Sequence, residues 1–301
     1  MGWQRNKNED RNTMKSEPKV TILIHEHSHY DDVSHPFIWY LAECWKQMGI
    51  GIEVLKGIPR SMPETDLLIA HVDLTVTPPD YVEFINRFPH VINGGITDIS
   101  KRRISRNLVS RGDRYSGQVV VKTDMNYGGV PELINDSLSG RGNMLVTDIQ
   151  RPWRKVDHLD PEKYPIFENI RAVPEGVWRN PHLVVEKFLP EIDGEFFCNR
   201  VALIMGENVR CGRAYSRSPI VKGASIVRSD PIDTPAEFRR IREHYAIDYG
   251  KIDYVVHDGE IHVFDVNKTP GGLADSEINM RLGAKLADGI LPFLENLRPG
   301  V

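Results

Sequence analysis

From residue 20 onward, short apolar runs and helically spaced apolar residues alternate. Val20-Thr21-Ile22-Leu23-Ile24 reads as a buried strand. Phe37, Leu41, Cys44, Trp45 and Met48 then recur at helical spacing, and Gly49 supplies a stop. Ile52–Leu55 and Asp66–Val72 are two further strand candidates. Pro78-Pro79 opens a helix carrying Tyr81, Phe84, Ile85 and Phe88, and Val91-Ile92 is a fourth, very short strand. Such alternation predicts a small parallel α/β layer over residues 19–93, preceded by a polar, flexible leader over residues 1–18.

Beyond Asn93 the pattern changes. Asp98 to Ser110 reads as a basic helical stretch, followed by the strand Val119–Lys122 and a polar, Gly-rich loop. Strands then dominate: Leu183–Phe188, Phe196–Met205, Val209–Tyr215 and a hairpin over Lys251–Val266. Helices are expected at Pro235–Tyr245 and Ser276–Leu294. The order is α/β first and α+β after, with a seam near residue 93.

Composition narrows the function classes. The 301 residues carry 38 basic and 42 acidic side chains, a net charge of −4, which argues against the strongly basic face of a nucleic-acid binder. The hydrophobic share of 40% and charged share of 27% fit a globular chain and not a disordered one. Purely aliphatic runs stop at about five residues, where a membrane helix needs about 20. Cys44, Cys198 and Cys211 share no metal-type spacing, and the polar start offers no secretion signal or Met-Gly-x-x-x-Ser/Thr acylation motif, so a reducing cytoplasm is the expectation.

Four segments carry the candidate chemistry. In Val119-Val120-Val121-Lys122-Thr123-Asp124-Met125-Asn126-Tyr127-Gly128-Gly129, an apolar strand delivers a lysine and a glycine pair follows. Glycines let backbone N–H groups approach phosphate closely and the lysine adds a point charge, although a buried strand with a surface turn would look the same. In Val184-Val185-Glu186-Lys187-Phe188-Leu189-Pro190-Glu191-Ile192-Asp193, backbone groups at a strand end suit a purine and Asp193 suits ribose hydroxyls; an amphipathic strand with a solvated turn is the alternative. The third segment runs from Lys251 to Gly272. A two-residue Asp258-Gly259 loop would set Asp253 and Asp265 on opposite faces of the hairpin. A three-residue His257-Asp258-Gly259 loop, with Gly259 left-handed, would set Lys251, Asp253, Asp265 and Asn267 on one face, and the expectation is this odd loop. Those oxygens, free of cysteine and histidine, would then make a hard-cation site suited to Mg²⁺, since buried carboxylates without a counter-charge are costly; a solvent-facing hairpin with scattered acids is the alternative. The fourth segment is Ile92-Asn93-Gly94-Gly95, which leads through Asp98 and Ser100 to Lys101.

In this order the four segments resemble the ATP-grasp superfamily, above all its carboxylate–amine ligases such as D-alanine–D-alanine ligase, glutathione synthetase and the α-L-glutamate ligases. The likeness spans about residues 20 to 295. It implies an α/β and α+β fold: a substrate-side α/β domain over 19–93, a central subdomain over 94–185 and a C-terminal subdomain over 186–301. It implies ATP and two Mg²⁺ ions, with Mn²⁺ as a substitute. By this resemblance Lys101 and Lys122 hold the α/β-phosphates, Gly128 and Gly129 lie in the loop over the triphosphate, and Glu186, Lys187, Phe188 and Leu189 form the adenine hinge. Asp193 meets the ribose, Asp253, Asp265 and Asn267 ligate magnesium, and Lys251 takes the place of an arginine against the transferred phosphate. Arg200 and Arg213 are further candidates for phosphate and acyl-phosphate oxygens. The interval from Lys101 to Lys122 is short for the family.

The implied reaction activates a carboxylate as acyl phosphate and joins it to an amine or another nucleophile, releasing ADP and phosphate. The implied partners are ATP, small carboxylates and amines or a peptide, with no nucleic acid or membrane and with a homodimer left open. A kinase on the same scaffold and a nucleotide-binding protein without chemistry are the rivals. One cluster stands outside this scheme: His25, His27, His29 and His35 follow the first strand. It reads as a substrate-facing loop, with zinc binding and a plain polar loop as alternatives.

Overall fold

The computed structural model describes residues 17–28, 36–138 and 152–296. Residues 1–16 of the expected leader, and His29 and His35, lie outside them. The first layer is built as the alternation predicts. Strands β1 (Lys19–Ile24), β2 (Gly51–Lys56), β3 (Leu67–His71) and β4 (Val91–Ile92) form a parallel sheet in the order β2-β1-β3-β4. Helix α1 (Ile38–Gln47) buries Ile38, Leu41 and Trp45, and α2 (Pro79–Ile85) buries Tyr81 and Phe84. A parallel sheet buried on both faces needs such cover on each side.

Next come α3 (Lys101–Ile104), β5 (Val119–Thr123), α4 (Val130–Leu138), β6 (Ile166–Phe167), α5 (Glu175–Trp178) and β7 (Leu183–Lys187). The three strands pair antiparallel in the order β6-β5-β7. Two expectations are corrected here. The basic helix over 98–110 is one turn, because Ser105 turns extended and the chain then runs beside β7, where the Val109 N–H donates to the Val185 carbonyl. The Gly-rich loop is a tight turn at Asn126–Gly129 leading straight into α4.

The last unit holds β8 (Glu191–Asp193), β9 (Phe196–Met205), β10 (Asn208–Ser216), β11 (Ile226–Ile232), α6 (Phe238–Tyr245), β12 (Tyr249–His257), β13 (Glu260–Asn267), α7 (Ser276–Leu286) and α8 (Leu291–Glu295). Its antiparallel sheet runs β11-β10-β9-β12-β13, with β8 on β9. The single terminal helix expected over 276–294 is broken at Gly289, where a Cβ would lie 1.9 Å from the Met205 carbonyl oxygen, and α8 restarts with Pro292 in its first turn.

The seam near residue 93 is stitched to the last unit. Asn93 is buried; its Oδ1 accepts from the Asp248 and Tyr249 N–H groups and its Nδ2 donates to the Tyr249 carbonyl. The first core cluster crosses the same seam: Ile22, Trp45 and Ile69 pack with Met205, Tyr249, Leu286 and Ile290. Trp45 Nε1 also donates to the Ala287 carbonyl at 2.9 Å.

Candidate functional site

The β12–β13 hairpin turns on two residues, Asp258 (φ 52°) and Gly259 (φ 80°), with His257 opposite Glu260. Both central residues are left-handed, as the commonest tight hairpin turn demands. The expected three-residue loop is therefore wrong. Asp253 nonetheless stands opposite Asp265, and Lys251 opposite Asn267, because Phe264 is an extra residue between Tyr254↔Val263 and Asp253↔Asp265. One bulged residue shifts the register by one and restores the common face.

That face is charged and buried. Asp265 Oδ1 lies 2.7 Å from Lys101 Nζ and Oδ2 lies 3.4 Å from Lys222 Nζ. Burial alone would raise the Asp265 pKa, but the charges of Lys101 and Lys222 outweigh it and hold the carboxyl well below the usual range. Burial likewise works against both ammonium groups, and the Asp265 charge outweighs it and raises them. Asp253 is 3.0 Å from Lys251 and accepts from Asn199 Nδ2 at 3.4 Å. Asn267 Oδ1 accepts from the Thr269 N–H at 2.8 Å.

A cleft opens beside these groups, between the β5–β7 sheet and the larger sheet. Lys122, Glu186 to Leu189, Asn199, Lys222 and Phe264 line it. Lys122 Nζ sits 2.5 Å from Glu186 Oε2 and over the Phe264 ring at 4.8 Å. Lys187 lines the cleft with its ammonium over Tyr115. The structure thus places Lys122 and residues 186–189 on the cleft, with Asp265 behind its Lys222 and Asp253 behind its Asn199; Lys101 is buried against Asp265, and Lys251 and Asn267 share the aspartates' face. Lys222 was missed: it stands between Val221 and Gly223 in an irregular stretch, with no periodicity or spacing to single it out.

Three expectations do not fit this opening. Arg200 pairs across the ladder with Tyr254 and Arg213, so both arginines project from the face opposite Asp253. There they bind Glu191, at 2.8 Å from each guanidinium. Asp193 lies on that far face as well, 2.9 Å from Arg213. Gly128 (φ 70°) and Gly129 (φ 85°) answer to packing: a Cβ on the first would lie 2.3 Å from the Leu159 carbonyl oxygen, and on the second 2.6 Å from His158. The histidine expectation is split. His25 stacks on Tyr81, and its Nδ1 accepts from the His27 N–H. No group of three metal-competent histidine, cysteine or acidic side chains occurs among the described residues, and no described helix is long and apolar enough to cross a membrane.

No protein-family model and no curated protein matches the chain. Solved structures do. A Chryseobacterium gregarium RiPP-associated ATP-grasp ligase, in complex with ADP and a leader and core peptide, superposes with a TM-score of 0.53 at 11% identity, covering 94% of this chain and 98% of its own. A RimK-domain ATP-grasp protein of Sphaerobacter thermophilus reaches 0.48 at 12% identity, covering 91% and 99%. A Microcystis aeruginosa macrocyclase bound with its precursor peptide reaches 0.49 at 10% identity, covering 91% and 99%. The first of these, together with the three-sheet order and the cleft between the two antiparallel sheets, gives the conclusion: the chain has the fold of the ATP-grasp superfamily.

Proposed function

We propose that this protein is an ATP-dependent ligase that activates a carboxylate as acyl phosphate and joins it to an amine. The observation that carries this reading is the opposed Asp253–Asp265 pair, with Lys101 buried against Asp265, beside a cleft lined by Lys122 and Lys222. In the cleft, the 186–189 segment would hold the base, and Lys122 and Lys222 would reach the phosphates. The two carboxylates and the Asn267 amide form an all-oxygen donor set on one face, which fits Mg²⁺, with Mn²⁺ able to replace it. Bound magnesium would neutralise charge that builds on the transferred phosphoryl group.

The lysines do the rest of the electrostatics. Asp265 orients Lys101 and Lys222 from below, so both ammonium groups are fixed before any substrate arrives; such preorganisation costs nothing at the moment of transfer. Lys251, beside Asp253 and partly exposed, can reach the carboxylate being activated. The amine then attacks the acyl carbon, phosphate leaves, and the ammonium proton passes to solvent or phosphate.

The ADP and peptides bound to the Chryseobacterium ligase support nucleotide use and allow a peptide as one substrate. The test is ADP release from the purified protein with a panel of amino acids, small carboxylates and short peptides, followed by mass spectrometry. A condensed product formed with an amine supports the ligase; a stable phosphorylated product that ignores the amine makes it a kinase. ADP release from no member of the panel, at millimolar concentrations, counts against both.

A further inference from the structure

A second cavity is lined by His25, His27, Ser28, Asp73, Ile134 and Asn135. Its floor is the carboxyl end of the parallel sheet, since His25 follows β1 and Asp73 follows β3. Open α/β sheets take their ligands at that edge. Its roof is α4.

At the floor and roof of the cavity the polar atoms of Asp73 and Asn135 include unsatisfied or lightly used acceptors. Asn135 Oδ1 is buried with no hydrogen-bond partner among the described residues; Glu132, one turn earlier on α4 and outside the cavity lining, has the same at Oε2. Glu132 Oε1 is taken by the Thr75 N–H at 2.7 Å. Among the described residues Asp73 holds one hydrogen bond, from the Thr269 hydroxyl at 2.6 Å. Orphaned buried acceptors are costly until a donor arrives. The nearby cation, Lys268, is bonded to Thr77, and the acids Asp73, Asp98 and Glu132 around it outnumber it. A donor-rich, positively charged group suits this cavity.

Position ties it to the reaction. The Thr269 hydroxyl that reaches Asp73 lies 3.3 Å from Asn267 Oδ1, so one side chain separates the cavity from the proposed magnesium face. At the far end His25, whose Nδ1 accepts, presents Nε2 as its N–H in the neutral ring. We infer that this cavity is the acceptor subsite, where Asp73 and Asn135 hold the primary ammonium group of the amine substrate. The inference rests on the ligase reading for its role, although the binding itself does not.

The test uses the full chain and needs no turnover. Saturation-transfer NMR would follow glycinamide, L-alaninamide and cadaverine as primary-ammonium probes, with N-acetylglycinamide as the neutral control. Expected are contacts for the amines and none for the acetylated probe, with Asp73→Asn weakening amine binding at least tenfold. Asn135→Leu, on the surface-facing helix α4, should weaken it several-fold and guards against a misfolded Asp73 variant. Equal binding of acetylated and free amines, amine binding untouched in both variants, or no amine binding at all would overturn the subsite. ADP release is scored separately, so a protein that binds amines without turnover would sink the ligase reading and leave the site standing.

Discussion

Asp253 and Asp265 face each other across a hairpin whose two-residue turn would, by itself, place them on opposite faces; the extra residue Phe264 brings them together. The two aspartates are not equivalent. Asp265 is the counter-charge of the buried Lys101 and of Lys222, whereas Asp253 pairs with the partly exposed Lys251.

Asp265→Asn should therefore cost both turnover and stability, about 3–5 kcal/mol of the latter, because it strands buried ammonium groups. Asp253→Asn should lower kcat at least a hundredfold with a much smaller loss of stability. Urea unfolding and steady-state ADP release on both variants check this. Equal stability losses would mean that Lys101 and Lys222 do not depend on Asp265.

The Lys122–Glu186 pair behaves like a buried salt bridge, with only 11% and 1% of the two side chains exposed. Lys122→Met alone should lower the melting temperature of the nucleotide-free protein, since it leaves the Glu186 carboxylate buried and unpaired. The double variant Lys122→Met/Glu186→Leu should recover most of that loss. Neither variant should show the thermal shift expected for the native chain with ATP and Mg²⁺. A native-sized ATP shift in the double variant would remove Lys122 from the nucleotide site.

His71 is fully buried against Tyr249, and burial, helped by the Lys268 charge, pushes its pKa down to about 3. The folded chain thus keeps this ring neutral while the unfolded chain protonates it below about 6.5. Its contribution is present above that value and is lost as pH falls towards 3. Between pH 7 and 5.5 the linkage amounts to about 1 kcal/mol. His71→Phe should flatten the fall of stability over that interval by a comparable amount, measured by urea titration at the two pH values. An unchanged slope would assign the fall to other groups.

Gly128→Ala meets two obstacles, a left-handed φ of 70° and the Leu159 carbonyl oxygen 2.3 Å from the new Cβ. Together they should cost roughly 2–4 kcal/mol. Gly194→Ala, with a φ of 59° and open space around it, should cost only about 1 kcal/mol. Similar melting temperatures for the two would show that the 158–161 segment can move aside.

The sequence by itself determined the local elements and the kind of atoms at the site. Short apolar runs and helical spacing marked β1 to β4, α1 and α2, because runs and periodicity are local properties of the chain. Acids within the apolar β12 and β13 called for counter-charges, because such groups are tolerated only when paired, and the fold supplies Lys101, Lys222 and Lys251. Tertiary structure decided which faces meet. Asp258-Gly259 forms the tight turn its residues favour, and the register with Asp265 comes from a bulge that only the pairing of β12 and β13 reveals. Arg200 and Arg213 carry the right charge for phosphate, yet their alternation along β9 and β10 turns them to Glu191 on the far face. Lys222 shows the reverse. Nothing beside it in the chain marks it, and Asp265, 43 residues on, draws it in, because a buried carboxylate selects any ammonium the fold can deliver.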